Sequence, residues 1–390
     1  MYGQLSNGLQ HIDRFTHVAY CTGPFQLAFF LSALDVCGIS LGQCTILPFP
    51  GSARNDVLKK TLVTACSHLG MQTADFDSMP LPTLSDARHL CDPAHREPRV
   101  AYWYCQGAPY HSSVLNRLRK TMPDIVFEYY DGLGSHIVAL EQDKRRLSLP
   151  DARGFGDLRQ LAIQQLMRPE MHFMPEDGLW QKYAPPHSQA KTRYVPLSVM
   201  LRNIRLVGKI LDDISGDPWP LRKGPAIILL PSRVSELRHP VSFESLAENE
   251  LRMHDDLLRI VRSVAKTASI LVKAHPRTGT ETVRRLQEIC AKHNAQLYYR
   301  QQLVEYILDR SRRRDVLMIG SEWSTSLLNT MLFGWGRSVC LSKASIASYI
   351  GLQNIPDSLL ACLDLLSKTG VAVVDSLADL SEFLREQVPQ

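Results

Sequence analysis

Two series of short apolar runs alternate with helical stretches along this chain, and between them lies Ser215-Gly216-Asp217-Pro218-Trp219-Pro220. In the first series the strand candidates are 17–21, 44–48, 100–105 and 124–129, with helical patterns near 25–36, 55–69 and 112–121. In the second they are 226–230, 269–273, 296–299, 315–319, 338–341 and 371–374. Helices are predicted there over 246–265, 281–293, 304–310, 323–333, 357–366 and 377–386. Strands separated by helices need crossover connections, so the pattern predicts α/β architecture with parallel sheets covered on both faces. The stretch 149–217 is different: helical pieces, Pro169, Pro175, Pro185, Pro186 and Pro196, few strand signals, and an amphipathic helix over 198–213. Pro and Gly at a composition change mark a linker. The predicted domains are 1–220, with a helical insert and the linker, and 221–390.

Composition narrows the class. Hydrophobic residues make up 45% and charged residues 21%, which excludes disorder, collagen and coiled coil. The net charge of +5 from 44 basic and 39 acidic residues is too small to indicate a nucleic-acid binder. Basic residues cluster at Lys144-Arg145-Arg146 and at Arg310 with Arg312-Arg313-Arg314. Each cluster reads plainly as a solvated helix face or turn, and more sharply as a contact for an anionic membrane or glycan. Nine cysteines form no CxxC pair and are odd in number, which fits reduced thiols in the cytoplasm. No Cys/His pair has zinc-ligand spacing, so no metal is expected. The most apolar stretch, 18–41, is interrupted by Pro24, Gln26 and Asp35 and lacks a basic leader. The expectation is a cytoplasmic protein, with peripheral association at an inner membrane left open.

Three segments carry residues suited to chemistry. The first is Phe127-Glu128-Tyr129-Tyr130-Asp131-Gly132-Leu133-Gly134-Ser135-His136, which follows a strand candidate. Ligands of parallel sheets bind beyond the carboxyl ends of strands, which is where Asp131 falls. Gly132 and Gly134 allow close backbone approach, and a carboxylate there can act as a general base. Taken alone, the segment reads first as a strand-ending Asp-Gly turn.

The second is Ile270-Leu271-Val272-Lys273-Ala274-His275-Pro276-Arg277-Thr278-Gly279-Thr280-Glu281. Thr278 and Glu281 have capping-box spacing, so a helix is expected to start just past His275. A helix N-terminus and Arg277 favour an anion, and a histidine can protonate a phosphate oxygen near neutral pH. A histidine that only ends a strand is the plainer alternative. The third is Met318-Ile319-Gly320-Ser321-Glu322-Trp323-Ser324-Thr325-Ser326. One helix cap needs one hydroxyl, and this segment supplies Ser321, Ser324, Thr325 and Ser326.

Two α/β halves joined by a linker fit GT-B glycosyltransferases, but also a periplasmic-binding-protein fold or a two-domain kinase. The three segments together resemble the bacterial sialyltransferases that cap lipooligosaccharide and build polysialic acid capsules. Their signatures are an acidic-acidic-Gly motif, a His-Pro motif and a Ser/Thr motif, matched here by Tyr130-Asp131-Gly132, His275-Pro276-Arg277 and Ser324-Thr325-Ser326. The opening Tyr20-Cys21-Thr22-Gly23-Pro24-Phe25-Gln26 is similar to their first strand and loop, and Glu305-Tyr306-Ile307-Leu308 adds a weaker likeness. The first acidic position is Tyr130 here, while the second is kept as Asp131.

The resemblance implies a GT-B fold, two Rossmann-like domains facing each other across a cleft. It also implies an inverting, metal-independent transferase that uses no cofactor and takes CMP-sialic acid as donor. Asp131 would be the general base and His275 the general acid. Gly23, Gln26, Gly132, Gly134, Pro276, Arg277, Ser324, Thr325 and Ser326 would bind substrate, and an oligosaccharide or polysaccharide would be the acceptor. Two alternatives stay open: transfer of another CMP-nonulosonate (Kdo, legionaminic or pseudaminic acid), or a non-catalytic GT-B-like protein that binds glycans or nucleotides.

Overall fold

The structure, a computed structural model, describes residues 15–48, 56–74, 99–105, 125–130, 132, 135, 169–184, 186–215, 226–231, 243–275, 278–299, 302–311, 315–322, 324–355 and 357–387. The chain divides into two compact units, Met1–Ile214 and Ser215–Gln390.

The first unit carries a seven-stranded parallel sheet. Its strands are β1 (Phe15–Cys21), β2 (Cys44–Pro48), β3 (Gln72–Thr73), β4 (Arg99–Cys105), β5 (Ile125–Tyr129), β6 (Met171–Pro175) and β7 (Thr192–Val195). They lie in the order β3-β2-β1-β4-β5-β6-β7, so the direction of winding reverses between β1 and β4. Its described helices are α1 (Pro24–Cys37), α2 (Asp56–His68), α3 (Leu179–Tyr183), α4 (Pro186–Gln189) and α5 (Leu197–Ser215). α1 buries Leu27, Ala28, Phe29, Phe30, Leu31, Ala33 and Leu34, nearly its whole circumference, as a helix enclosed in a core must.

That core is aromatic. The Trp103 ring lies 4.6 Å from Phe127, 4.8 Å from Phe173 and 5.3 Å from Phe30, and its Nε1 donates to His17 Nδ1 at 2.9 Å. These residues come from β1, β4, β5, β6 and α1, so one cluster ties the centre of the sheet to its first helix.

The second unit repeats the winding with six parallel strands: β8 (Ala226–Leu230), β9 (Ser269–Lys273), β10 (Gln296–Tyr298), β11 (Val316–Gly320), β12 (Gly336–Leu341) and β13 (Ala372–Val374). The order β10-β9-β8-β11-β12-β13 is that of a Rossmann sheet, with its reversal between β8 and β11. β8 and β11 are buried at every position, as strands covered on both faces are. The helices are α6 (Phe243–Val264), α7 (Thr280–Lys292), α8 (Val304–Ser311), α9 (Thr325–Leu332), α10 (Lys343–Ile350), α11 (Asp357–Ser367) and α12 (Leu377–Gln387). Among the described residues no helix is long and apolar enough to cross a membrane.

The stretch read as poor in strands supplies β6 and β7. Met171-His172-Phe173-Met174-Pro175 has no run of β-branched residues; tertiary contacts make it a strand. Phe173 joins the aromatic cluster, and its carbonyl accepts the Tyr130 N–H at 3.1 Å. His172 sits in register with Glu128, its Nδ1 2.6 Å from Glu128 Oε2 but out of line for a hydrogen bond. The helix predicted at 112–121 and the basic clusters at 144–146 and 312–314 lie outside the described residues.

Eight of the nine cysteines fall within the described residues, and none of the eight is in a disulfide. Burial pushes the thiols of Cys21, Cys44 and Cys290 up to about 12 and that of Cys37 up to about 11, so these thiols are unreactive at neutral pH.

Candidate functional site

The carboxyl edge of the second sheet carries the described residues predicted for the C-terminal half, His275, Ser324, Thr325 and Ser326. β9 delivers Lys273 and His275, β8 ends beside it, and β11 runs into the hydroxyl segment that opens α9. β9 and β11 flank β8, so the two loops stand two strand spacings apart, roughly 10 Å. They straddle the point where the strand order reverses, the position at which open parallel sheets leave a crevice.

His275 is exposed, and its carbonyl accepts the Thr278 N–H at 2.9 Å, which turns the chain toward α7. The expected capping box does not form. The cap is Gly279 in extended conformation with no side-chain bond, and Glu281 is held by Arg284 at 2.6 and 3.0 Å. A forked guanidinium one turn away outcompetes a bond back to the cap. Thr278 is buried, its Oγ1 has no hydrogen-bond partner among the described residues, and its carbonyl accepts from the Tyr299 hydroxyl at 3.0 Å. Pro276 and Arg277 lie outside the described residues.

The hydroxyls of the third segment are not equivalent. Ser324 is the N-cap of α9, accepting from Ser326 N at 3.3 Å. Thr325 opens the helix and is partly exposed. Ser326 Oγ turns sideways and donates to Glu305 Oε1 at 2.8 Å, an oxygen that also takes the Asn329 amide at 3.0 Å. Ser321 is fully buried. Ser324 therefore caps α9 and Thr325 stands partly exposed at its start, while Ser326 fastens Glu305 of α8 to α9.

Glu305 is buried, and its charge favours the cationic form of Lys273, also buried at the end of β9. Desolvation nonetheless dominates and pushes Lys273 down to about 8. Its Nζ donates to the Ala274 carbonyl at 3.0 Å and lies 5.7 Å from the Tyr298 ring centre. Nothing in Ser-Ile-Leu-Val-Lys marks Lys273, because a charge at the last position of a strand is ordinary. Only burial beside Glu305 distinguishes it.

A pH dependence follows. The folded pKa of Lys273 lies below its unfolded value of 10.5, so between about pH 8 and 10.5 the unfolded chain binds more protons. The penalty for a buried ammonium is complete below about pH 8 and gone above 10.5. The second unit should gain on the order of 3 kcal/mol across that window from this group. Lys273→Met should lose that rise when unfolding is followed in urea at pH 7, 8.5 and 10. A slope unchanged in the variant would refute it.

In the first unit, Gly23 caps α1 in extended conformation, its carbonyl accepting Leu27 N at 3.0 Å. A β-carbon at Gly23 would lie 3.2 Å from Gln26 Oε1, so glycine leaves room for that amide at the carboxyl end of β1. Gly132 has φ +125°, a conformation that favours glycine, and its carbonyl accepts the buried Ser135 N–H at 3.0 Å. Tyr130 is wholly buried, 5.3 Å from Phe29 and 6.2 Å from Phe25 between ring centres. An aromatic at the first motif position is therefore a core residue under α1. Asp131 and Gly134 lie outside the described residues.

Comparison with known proteins gives fold likeness only. No protein-family profile and no curated protein matches the chain. Among solved structures, a sialyltransferase from Photobacterium damselae, cut to its GT-B domain, is 12% identical, covering 92% of this chain and 100% of that one, at a TM-score of 0.47. A UDP-GlcNAc 2-epimerase from Methanocaldococcus jannaschii, solved with UDP-GlcNAc and UDP, is 10% identical over 96% of this chain and 93% of that one, at 0.49. Anabaena HepE, solved with UDP and glucose, is 9% identical over 95% and 98%, at 0.41. Likeness at this level assigns neither a family nor an activity. The architecture rests on the two strand orders.

Proposed function

We propose that the protein is an inverting glycosyltransferase of GT-B type that moves sialic acid from CMP-sialic acid to a cell-surface glycan, a lipooligosaccharide or capsule. The observation that carries this reading is the placement of His275 after β9 and of the hydroxyl-bearing start of α9 after β11, on either side of the second sheet's reversal point. A phosphate set against α9 would meet the positive end of its dipole and the side chains of Ser324 and Thr325, with His275 able to supply a proton.

In the reaction, the acceptor hydroxyl attacks C2 of the sialyl group and gives its proton to Asp131 as the C2–O bond to phosphate breaks. His275 protonates or hydrogen-bonds the departing CMP. A phosphomonoester leaving group carries less charge than a pyrophosphate, which agrees with metal-independent transfer. The nearest alternative keeps the CMP chemistry and changes the sugar to Kdo, legionaminic or pseudaminic acid.

CMP release from CMP-sialic acid, measured in EDTA with lactoside or oligosialic acid present, tests the proposal. Wild type should turn over, and His275→Ala and Asp131→Ala should each fall by roughly 10²–10⁴-fold. Binding of CMP without turnover would move the assignment to another CMP-nonulosonate or to a binding protein, and a binding protein would keep its affinity in Asp131→Ala. No CMP binding would overturn the reading.

A further inference from the structure

His254 and Ser321 form a buried pair that the proposed chemistry does not use. His254 lies on α6 and is 1% exposed; Ser321, the first residue beyond β11, is 0% exposed. His254 Nε2 is 3.3 Å from Ser321 Oγ. Ser321 also donates twice to Leu230 O at the end of β8, from N at 3.1 Å and from Oγ at 3.2 Å.

The proton count fixes the direction of the first bond. Ser321 has one hydroxyl proton, and Leu230 O takes it, so Oγ faces His254 as an acceptor. His254 must then carry its proton on Nε2. Burial pushes this imidazole down to about 3, so at neutral pH it is uncharged and the Nε2–H tautomer is the one that fits.

The neighbouring residues are fastened as well. A β-carbon at Gly320 would lie 2.5 Å from Glu322 O and 2.7 Å from Leu327 Cδ1, so the chain doubles back where only glycine fits. Cys340 Sγ donates to Glu322 O at 3.1 Å, and Ser324 caps α9 two residues later. Ser321 is thus tied to α6 and β8, Glu322 to β12, and Ser324 to its own helix.

We infer that His254 is a positioning residue. Its bond to Ser321 locks the turn between β11 and α9 across the ends of β8 and β11, holding the positive end of α9, with Ser324 and Thr325, in one place for a bound phosphate. This rests on the reading above for the identity of the ligand, but not for the rigidity of the turn. The field of a helix dipole falls off within its first turn, so a turn free to move loses affinity without losing its hydroxyls.

The test compares wild type with His254→Leu, His254→Gln, Ser321→Ala and Leu257→Ala. Leu257 is wholly buried on the same helix and stands in for general loss of stability. Two readouts are taken well below each variant's melting point: CMP affinity by calorimetry, and amide hydrogen exchange over 321–327. His254→Leu and Ser321→Ala should each weaken CMP about 5- to 20-fold and speed exchange in the turn, with no further loss when combined. His254→Gln, whose amide can donate over a similar reach, should recover most of both. In steady state the loss should fall on KM for the donor, with kcat within about threefold of wild type.

Affinity and exchange equal to those of Leu257→Ala would overturn the inference. If wild type itself bound no CMP, the donor assignment would fail and the exchange data alone would decide: faster exchange in His254→Leu than in Leu257→Ala supports the lock, and equal exchange refutes it.

Discussion

Gly336→Ala should unfold the second unit or cost it more than about 3 kcal/mol. Gly336 opens β12 opposite Val316 of β11, and a β-carbon there would fall 1.9 Å from Val316 O and 2.8 Å from Val316 C. Neither strand can move aside cheaply. β11 is hydrogen-bonded to β8 as well as β12, and Trp335, one residue earlier, is buried with its ring 4.7 Å from Phe333. The control is two residues away. Gly334 has φ +62° but open space around its β-carbon position, so Gly334→Ala should cost only the backbone strain, on the order of 1 kcal/mol. Urea unfolding followed by circular dichroism checks both. Equal midpoint shifts at 334 and 336 would mean that β11 and β12 do not approach as closely as described.

Trp103→Ala should destabilise the first unit by about 4–6 kcal/mol, combining a large cavity with the loss of a buried donor. The indole is fully buried among Phe30, Phe127 and Phe173, and its N–H is the one His17 Nδ1 accepts. Trp103→Phe separates the two terms. It keeps most of the packing and gives up the hydrogen bond, for roughly 2 kcal/mol. Adding His17→Leu to Trp103→Phe should recover part of that loss, because replacing both partners of a buried bond with apolar groups removes the desolvation penalty. If Trp103→Ala unfolded at the wild-type urea midpoint, the cluster would not be the centre of this unit's stability.

The second sheet was largely legible in the sequence because its strands are short apolar runs bounded by helical patterns. β8 and β9 fall on the expected residues 226–230 and 269–273, and β11 and β12 differ from expectation by one or two. What was missed follows the same logic. β6 lacks a β-branched run and is a strand because β5 and the aromatic cluster hold it, and the four-residue β7 pairs along β6. α10, Lys-Ala-Ser-Ile-Ala-Ser-Tyr-Ile, has small residues and no charged face to give a helical period, and its clearest sign is the Ser342 cap on Ser345 N at 3.3 Å.

At the candidate site, the residue types at the ends of β9 and β11 were readable. Which hydroxyl faces outward was not. Ser324 and Ser326 look alike in sequence, and only the approach of Glu305 from α8 turns Ser326 inward. Lys273 is brought to Glu305, and His254 to Ser321, only through the crossovers, so no local spacing announces them.

Among the described residues the outermost strands are short. β3 has two residues, β10 and β13 three each, and β7 four, against five to seven in β1, β4, β8, β9 and β11. A sheet border of two to four residues offers an incoming strand few unpaired backbone groups to pair with. Both parallel sheets therefore stop before they become templates for addition, which protects a chain of this size from border-to-border aggregation when it is concentrated.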